Sequence, residues 1–351
     1  LTAFYSYLGA NSPVGFHSFY QQAMEEAGES WIIKGSPGCG KSTFMKYIAE
    51  GLAADNIELF KCSSDPQSLD GIMIPSVSVA YFDGTFPHVL EPQCPGAVGN
   101  YINLGDFIDH AAIKSRSDEL VSLFAQYKAH YPEAYTRLNT ARELLDDRLA
   151  LICKSVDFEK LCKRTRGIIS REIGKPGKNK GTLHRRFLSS ISFMGHNSDL
   201  NQIPLHYERV YRLESYYELT RFVTPLLLDA ALAAGKDVIA CYDPMNPNGS
   251  PEHILIPQLS LAFVTSSDIS YNGPHDRNIR LDSYIKDLKT DRARIRFNKK
   301  TASCLIDEAV QSMAHAKAIH DDIEQIYKDY VDFEGVMALA QNHLDRLLKM
   351  I

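Results

Sequence analysis

Apolar positions along this chain alternate between two spacings, and the alternation occurs twice. Runs of strand length stand at Tyr5–Leu8, Trp31–Lys34, Glu58–Cys62 and Val77–Asp83. A helix is expected before Trp31. Another is expected over Lys41–Ala54, where Phe44, Ile48 and Leu52 share one stripe. The second set has strands at Phe187–Leu188, Val210–Leu213, Asp237–Cys241 and Leu259–Thr265, with a helix over Tyr217–Ala234. Strands alternating with helices predict an α/β fold, a parallel sheet covered on both faces. Each set ends in a long helical stretch. The first, Asp106–Ile173, is expected to break near Tyr131-Pro132 and near Val156; the second is Asp282–Ile351. Groups such as Phe124/Tyr127 and Leu144/Leu145/Leu149 mark apolar faces. They predict a helical hairpin on each α/β core. The two hairpins either pack together or place one as a lid over a ligand.

The alternation reflects an internal repeat. Residues 72–81 read IMIPSVSVAY and residues 254–263 read ILIPQLSLAF. Leu8, Gly15 and Ser18 recur as Leu188, Gly195 and Ser198, and Cys62 as Cys241. Val156-Asp157-Phe158-Glu159 returns as Val331-Asp332-Phe333-Glu334. Matched residues stay between 175 and 182 positions apart and keep their order. The expectation is a tandem duplication: a domain over 1–174, a polar glycine-rich linker over 175–182, and a second domain over 183–351.

Between Trp31 and Phe44 lies the one segment with evident chemistry. Gly35-Ser36-Pro37-Gly38-Cys39-Gly40-Lys41-Ser42-Thr43 follows an apolar strand and opens an amphipathic helix. This is a phosphate-binding loop in its required setting. A polyphosphate needs several backbone N–H groups pointing inward, and glycines allow the turn that aims them. The helix adds unpaired N–H groups and its positive dipole end. Lys41 is expected on the β- and γ-phosphates, Ser42 on Mg²⁺ and Thr43 near the α-phosphate. Over this loop the repeat places Glu214–Phe222, which has no glycine and sets Thr220 against Lys41. The second copy is therefore expected to keep the fold and lack the nucleotide site.

The strand ending in Asp83 supplies a carboxylate for Mg²⁺, or else the cap of the turn at Gly84-Thr85. Its counterpart is Thr265, so carboxylate and lysine are absent together. Gly84 stands where a fast ATPase often has a water-polarising Glu; Glu91 and His88 are the nearest substitutes. Asp65 and Asp70 follow the second strand. Asp65 is a candidate base for an acceptor hydroxyl and Asp70 a candidate metal ligand, against ordinary turn chemistry. Arg164, Arg166, Arg171, Arg209, Arg212 and Arg277 are candidates for a positive charge near the γ-phosphate.

Composition narrows the class. The chain has 351 residues, 44% apolar and 23% charged, with a net charge of −5. No global basic field invites nucleic acid or anionic lipid. The most apolar stretch, Val223–Ala234, is short and contains Asp229, so no membrane span is expected. The opening residues Leu1–Phe16 lack a secretory pattern. Seven cysteines without a C-x-x-C pair fit free thiols and a cytoplasmic location.

Several motifs together resemble a family of bacterial tandem P-loop proteins described only as ATPase-like or nucleotide-kinase-like. They are N-x-x-x-G-F-x-S-F-Y from Asn11 to Tyr20, GSPGCGKS, CSSDPQSLDG, IPSVSVAYFDGTFPHV and PGAV with INLG. The resemblance implies a P-loop NTPase fold in both halves. Relatives of that kind carry a second phosphate loop, which this chain lacks. The expected function is Mg-ATP binding with slow hydrolysis in the N-terminal half. A kinase acting on a small hydroxyl acceptor and a non-catalytic scaffold are the alternatives, with an unnamed small molecule or protein as further partner. No Asn-Lys-x-Asp element reads guanine; Asn298-Lys299 is followed by Lys300-Thr301.

Overall fold

Two six-stranded mixed sheets, each carrying helices, form the molecule; the computed structural model describes residues 3–52, 57–92, 94–266, 271 and 273–351. The first half begins with β1 (Phe4–Ser6), the hairpin β2 (Gly9–Ser12) and β3 (Gly15–Ser18), and α1 (Tyr20–Glu26). Then come β4 (Glu29–Lys34), α2 (Lys41–Leu52), β5 (Glu58–Lys61), β6 (Leu69–Ile74), β7 (Val79–Asp83) and β8 (Gly99–Asn103). It closes with α3 (His110–Ile113), α4 (Ser117–Cys153) and α5 (Phe158–Glu172). The second half begins with β9 (Leu183–Phe187), β10 (Ser189–Ser192), β11 (Gly195–Ser198), α6 (Ile203–His206) and β12 (Arg209–Glu214). It continues with α7 (Thr224–Ala233), β13 (Val238–Tyr242), β14 (His253–Ile256), β15 (Leu261–Ser266), β16 (Arg277–Arg280), α8 (Arg292–Lys328) and α9 (Phe333–Leu348). The last two residues expected in the helix Lys41–Ala54 lie outside the described residues.

The sheet orders are β1-β5-β6-β7-β4-β8 and β9-β13-β14-β15-β12-β16. Neither is wholly parallel, which corrects the sequence expectation. Strand β6 runs antiparallel to β5 and β7, and β14 antiparallel to β13 and β15. The cause is the short connection Cys62–Ser68: a parallel return needs about a dozen residues or more. The remaining pairs are parallel, and β6 and β7 are buried along their whole length. Equivalent registers recur: Asp83 lies opposite Ile33, and Thr265 opposite Leu213.

Other boundaries moved. Helix α4 runs unbroken through Pro132. An interior proline costs about 3 kcal/mol, and packing along α8 offsets it. Ala134, Leu138 and Ala141 meet Ala302, Ala309 and Met313, while Leu120 and Tyr127 meet Ala316 and Ile323. The break near Val156 is real, and Asp157 caps α5 through the Lys160 N–H. Helix α7 starts at Thr224, with Pro225 in its first turn, rather than at Tyr217.

The closing helices cross between halves. Helix α9 lies on α2 of the first half, inserting Val336, Ala340, Leu344 and Leu347 beside Phe44 and Ile48. Helix α5 lies on α7 of the second half. Backbone bonds seal both crossings: Asp109 N–H to Tyr330 O at 2.8 Å and Asp157 N–H to Tyr284 O at 2.9 Å. Tyr7 and Phe187 also exchange backbone bonds, at 2.8 and 2.9 Å, joining the two sheets at their edges. Among the described residues no helix is long and apolar enough to cross a membrane.

Gly51 allows the α2–α9 contact; a Cβ there would lie 2.3 Å from Leu344 Cδ2. Leu344→Ala is therefore expected to destabilise the chain by about 2–5 kcal/mol, the range for truncating a buried leucine. Urea unfolding checks this; a change below about 1 kcal/mol would mean that α9 is not docked as described.

Candidate active site

The glycine-rich segment Gly35–Thr43 leaves the carboxyl end of β4 and turns into α2. Gly35, Gly38 and Gly40 have φ of 156°, 74° and 94°. The last two are positions where an L side chain is strained. Gly38 also faces the backbone of α8, and a Cβ there would lie 2.8 Å from Glu324 O. The N–H groups of Lys41, Ser42 and Thr43 open α2 and have no partner inside it. The buried Ser36 Oγ has no hydrogen-bond partner either. N–H groups at a helix start, with the Ser36 hydroxyl beside them on a glycine turn, suit an anion such as a polyphosphate.

Eight of the nine loop residues line a cavity of ≈590 Å³. Cys39 does not: its side chain is packed into the core, where burial pushes its thiol pKa up. All seven cysteines are free.

Lys41 donates to Gly35 O at 3.1 Å and Ser36 O at 2.9 Å, with Asp83 Oδ2 at 3.8 Å. Burial works against its charge, but Asp83 and further negative neighbours outweigh that, and its pKa is raised. Lys41 is a fixed cation at the mouth of the loop. Ser42 Oγ accepts the Leu69 N–H at 2.9 Å, which leaves its own lone pair and proton facing the cavity.

Asp83 ends β7 beside the loop and caps the turn that follows. Its Oδ1 accepts Thr85 N–H at 2.8 Å and Thr85 Oγ–H at 2.6 Å, capping the turn, while Oδ2 faces Lys41. Asp70 and His88 stand beside it. His88 Nε2 lies 3.8 Å from Asp70 Oδ2 and 4.0 Å from Asp83 Oδ1. Burial, with Asp83 adding and His88 opposing, pushes the Asp70 carboxyl up to about 6. Asp65 also lines the cavity. Its carboxylate closes a turn by accepting Gln67 N–H and Ser68 Oγ–H at 3.2 and 3.3 Å, and pairs with Lys317 at 3.5 Å.

Glu91 lies away from the cavity, bound to Lys34 at 3.1 Å and to Tyr101. None of the six arginine candidates lines it. Arg171 and Arg209 pair with Glu172 at 2.6 and 2.7 Å, and Arg164, Arg166 and Arg277 point to solvent. The positive charges come instead from Lys46 on α2, Lys128 on α4, and Lys317 and Lys328 on α8. Tyr127, Tyr131 and Phe124 of α4 form the opposite wall. The hairpins thus pack together, and their helices α4 and α8 line the cavity beside the loop. Lys128, Lys317 and Lys328 are distant in sequence from the loop and have no motif of their own. The packing of α4 against α8 brings them here.

Residues 214–222, which the sequence repeat sets over the loop, carry a cluster of ion pairs. Glu218, at φ 60°, gathers Arg221 at 3.1 Å, Arg142 at 3.5 Å and Arg148 at 3.6 Å. Arg148 donates to Tyr216 O at 2.9 Å and lies over the rings of Tyr216 and Tyr217. Nearby Asp243 is pushed up to about 7, first by burial and then by Glu252. A carboxyl raised from 3.8 contributes stability that is complete below about pH 4 and lost as pH rises through about 7. Asp243→Asn is expected to flatten that decline. Chemical denaturation at pH 4, 5.5 and 7 checks it, and an unchanged slope would refute the assignment.

Comparison with known proteins found no matching family model, no matching curated protein and no matching solved structure.

Proposed function

We propose that this chain binds Mg-ATP in its N-terminal half and hydrolyses it slowly. The observation that carries the reading is the meeting of Lys41 and Asp83 at a turn of positive-φ glycines on a helix N-terminus. Loop amides and Lys41 would hold the phosphates. Ser42 and Asp83 would hold Mg²⁺, which supplies charge neutralisation for phosphoryl transfer. Slow turnover is supported by Gly84, which cannot polarise water, and by Glu91 being engaged elsewhere, which leaves His88 alone of the two substitutes in the cavity.

We further infer a tandem duplication related by an approximate two-fold axis. Equal strand orders, the Tyr7–Phe187 bridge and the reciprocal bridges Ile108–Val331 and Val156–Ile285 support it. On this reading residues 1–174 and 183–351 are the two copies. The second has replaced its anion site by the Glu218 carboxylate and its arginines. Free thiols suit a reducing, cytoplasmic setting.

A phosphotransferase is the second reading, favoured by the space between the loop and the tyrosine wall of α4 and by Asp65 on its edge. ADP formation from Mg-ATP, with and without a metabolite pool, separates the two. ADP with an equal amount of inorganic phosphate in the absence of the pool supports hydrolysis, and ADP formed only with the pool and without inorganic phosphate supports transfer. No ADP under either condition would reject both.

A further inference from the structure

We propose that Asp70, Asp83 and His88 form a binding site for a divalent transition-metal ion, distinct from the Mg²⁺ position between Ser42 and Asp83. It rests on the placement of the cleft described above, but not on a nucleotide being bound there.

Three observations carry it. The donor atoms of Asp70, Asp83 and His88 lie within 4.8 Å of one another, and the closest approaches of His88 Nε2 are 3.8 and 4.0 Å. An ion about 2.1 Å from each donor needs them about 3–4 Å apart, so only small side-chain movements close the set. Second, His88 is 7% exposed, and neither ring nitrogen has a hydrogen-bond partner. A buried imidazole without a partner is costly. This one is held in place by stacking on Tyr20, at 4.8 Å and 17°, with Nε2 turned toward two carboxylates. Third, all three residues line the cavity, which gives an ion a way in.

The neighbours set the charge. Lys41 faces Asp83 at 3.8 Å, and Tyr20 donates a long bond of 3.4 Å to Asp70 Oδ2. Two buried carboxylates against one ammonium leave negative charge for a dication to neutralise. Thr85 already donates twice to Asp83 Oδ1 and would have to yield one of those bonds. One nitrogen and two oxygens suit Mn²⁺, Fe²⁺ or Zn²⁺. Mg²⁺ strongly prefers an all-oxygen shell. In the second half the positions of Asp70 and Asp83 are held by Glu252 and Thr265, and Glu252 is tied to His253 at 3.3 Å.

The test is Mn²⁺ titration of the full nucleotide-free chain, followed by electron paramagnetic resonance with spin-echo detection of directly bound ¹⁴N. The expected result is one tightly held Mn²⁺ per chain, not displaced by a hundredfold excess of Mg²⁺, with nitrogen modulation. His88→Ala should weaken Mn²⁺ by at least about tenfold and remove the modulation. His320→Ala, in the half-exposed His320/Asp321/Glu324 group on α8, should do neither. Absence of nitrogen modulation in the wild-type chain would overturn the proposal without any variant being needed. So would equal affinity in His88→Ala, or loss of the signal in His320→Ala instead. ATP binding, measured separately with Mg²⁺, reports on the nucleotide reading alone.

Discussion

Lys41→Ala is expected to weaken ATP binding by at least about tenfold and to reduce turnover by about a hundredfold or more. A charged hydrogen bond is worth about 1.5–3 kcal/mol, and a contact that strengthens in the transition state adds to the rate effect. The lysine lies across the loop on Gly35 O and Ser36 O and faces Asp83. Its removal also leaves a buried carboxylate without its cation. Some loss of stability should therefore accompany the loss of binding. Lys41→Met keeps the apolar stem but not the charge: it should lose binding as fully as alanine and regain only the part of the stability that comes from packing of the stem. Isothermal titration and a phosphate-release assay check both variants. Wild-type affinity and turnover in either would remove the assignment.

Asp83→Asn should leave the fold and the Thr85 turn intact, because an amide oxygen still accepts both Thr85 bonds. What it removes is charge facing Lys41 and the metal. ATP affinity without Mg²⁺ should change little. Mg²⁺-dependent turnover should fall by about a hundredfold, roughly 3 kcal/mol of transition-state stabilisation. Turnover measured against Mg²⁺ concentration decides this. An unchanged Mg²⁺ response would remove the Mg²⁺ role assigned to Asp83.

The features legible in the sequence were the local ones. Glycine spacing, the strand before it and the stripe after it lie within residues 31–52, so the order strand, glycine turn, helix could be read directly. Asp83 was readable as the polar end of an apolar strand, and the likeness of the two halves in sequence sets Thr220 and Thr265 against Lys41 and Asp83. Strand β6 was hidden because Cys62–Asp70 reads as turn chemistry, although Leu69–Ile74 is buried along its whole length. Proline at 132 predicted a break that packing against α8 overrode. The crossing of α5 and α9 had no local signal. Val336, Ala340, Leu344 and Leu347 announce an apolar face, but nothing in their spacing says that its partner is α2. Lys128, Lys317 and Lys328 read as ordinary solvated charges for the same reason. His88 was visible as a lone histidine after Phe86-Pro87; its placement beside Asp70 depends on the antiparallel strand that the sequence concealed.

The most direct measurement of the central claim is a crystal structure of the full chain at saturating concentrations of Mg²⁺ and a non-hydrolysable ATP analogue. The account predicts one nucleotide per chain, with its phosphates on residues 35–43 beneath α8. A nucleotide seated near Glu218 in the second half, or none in either half, would contradict it.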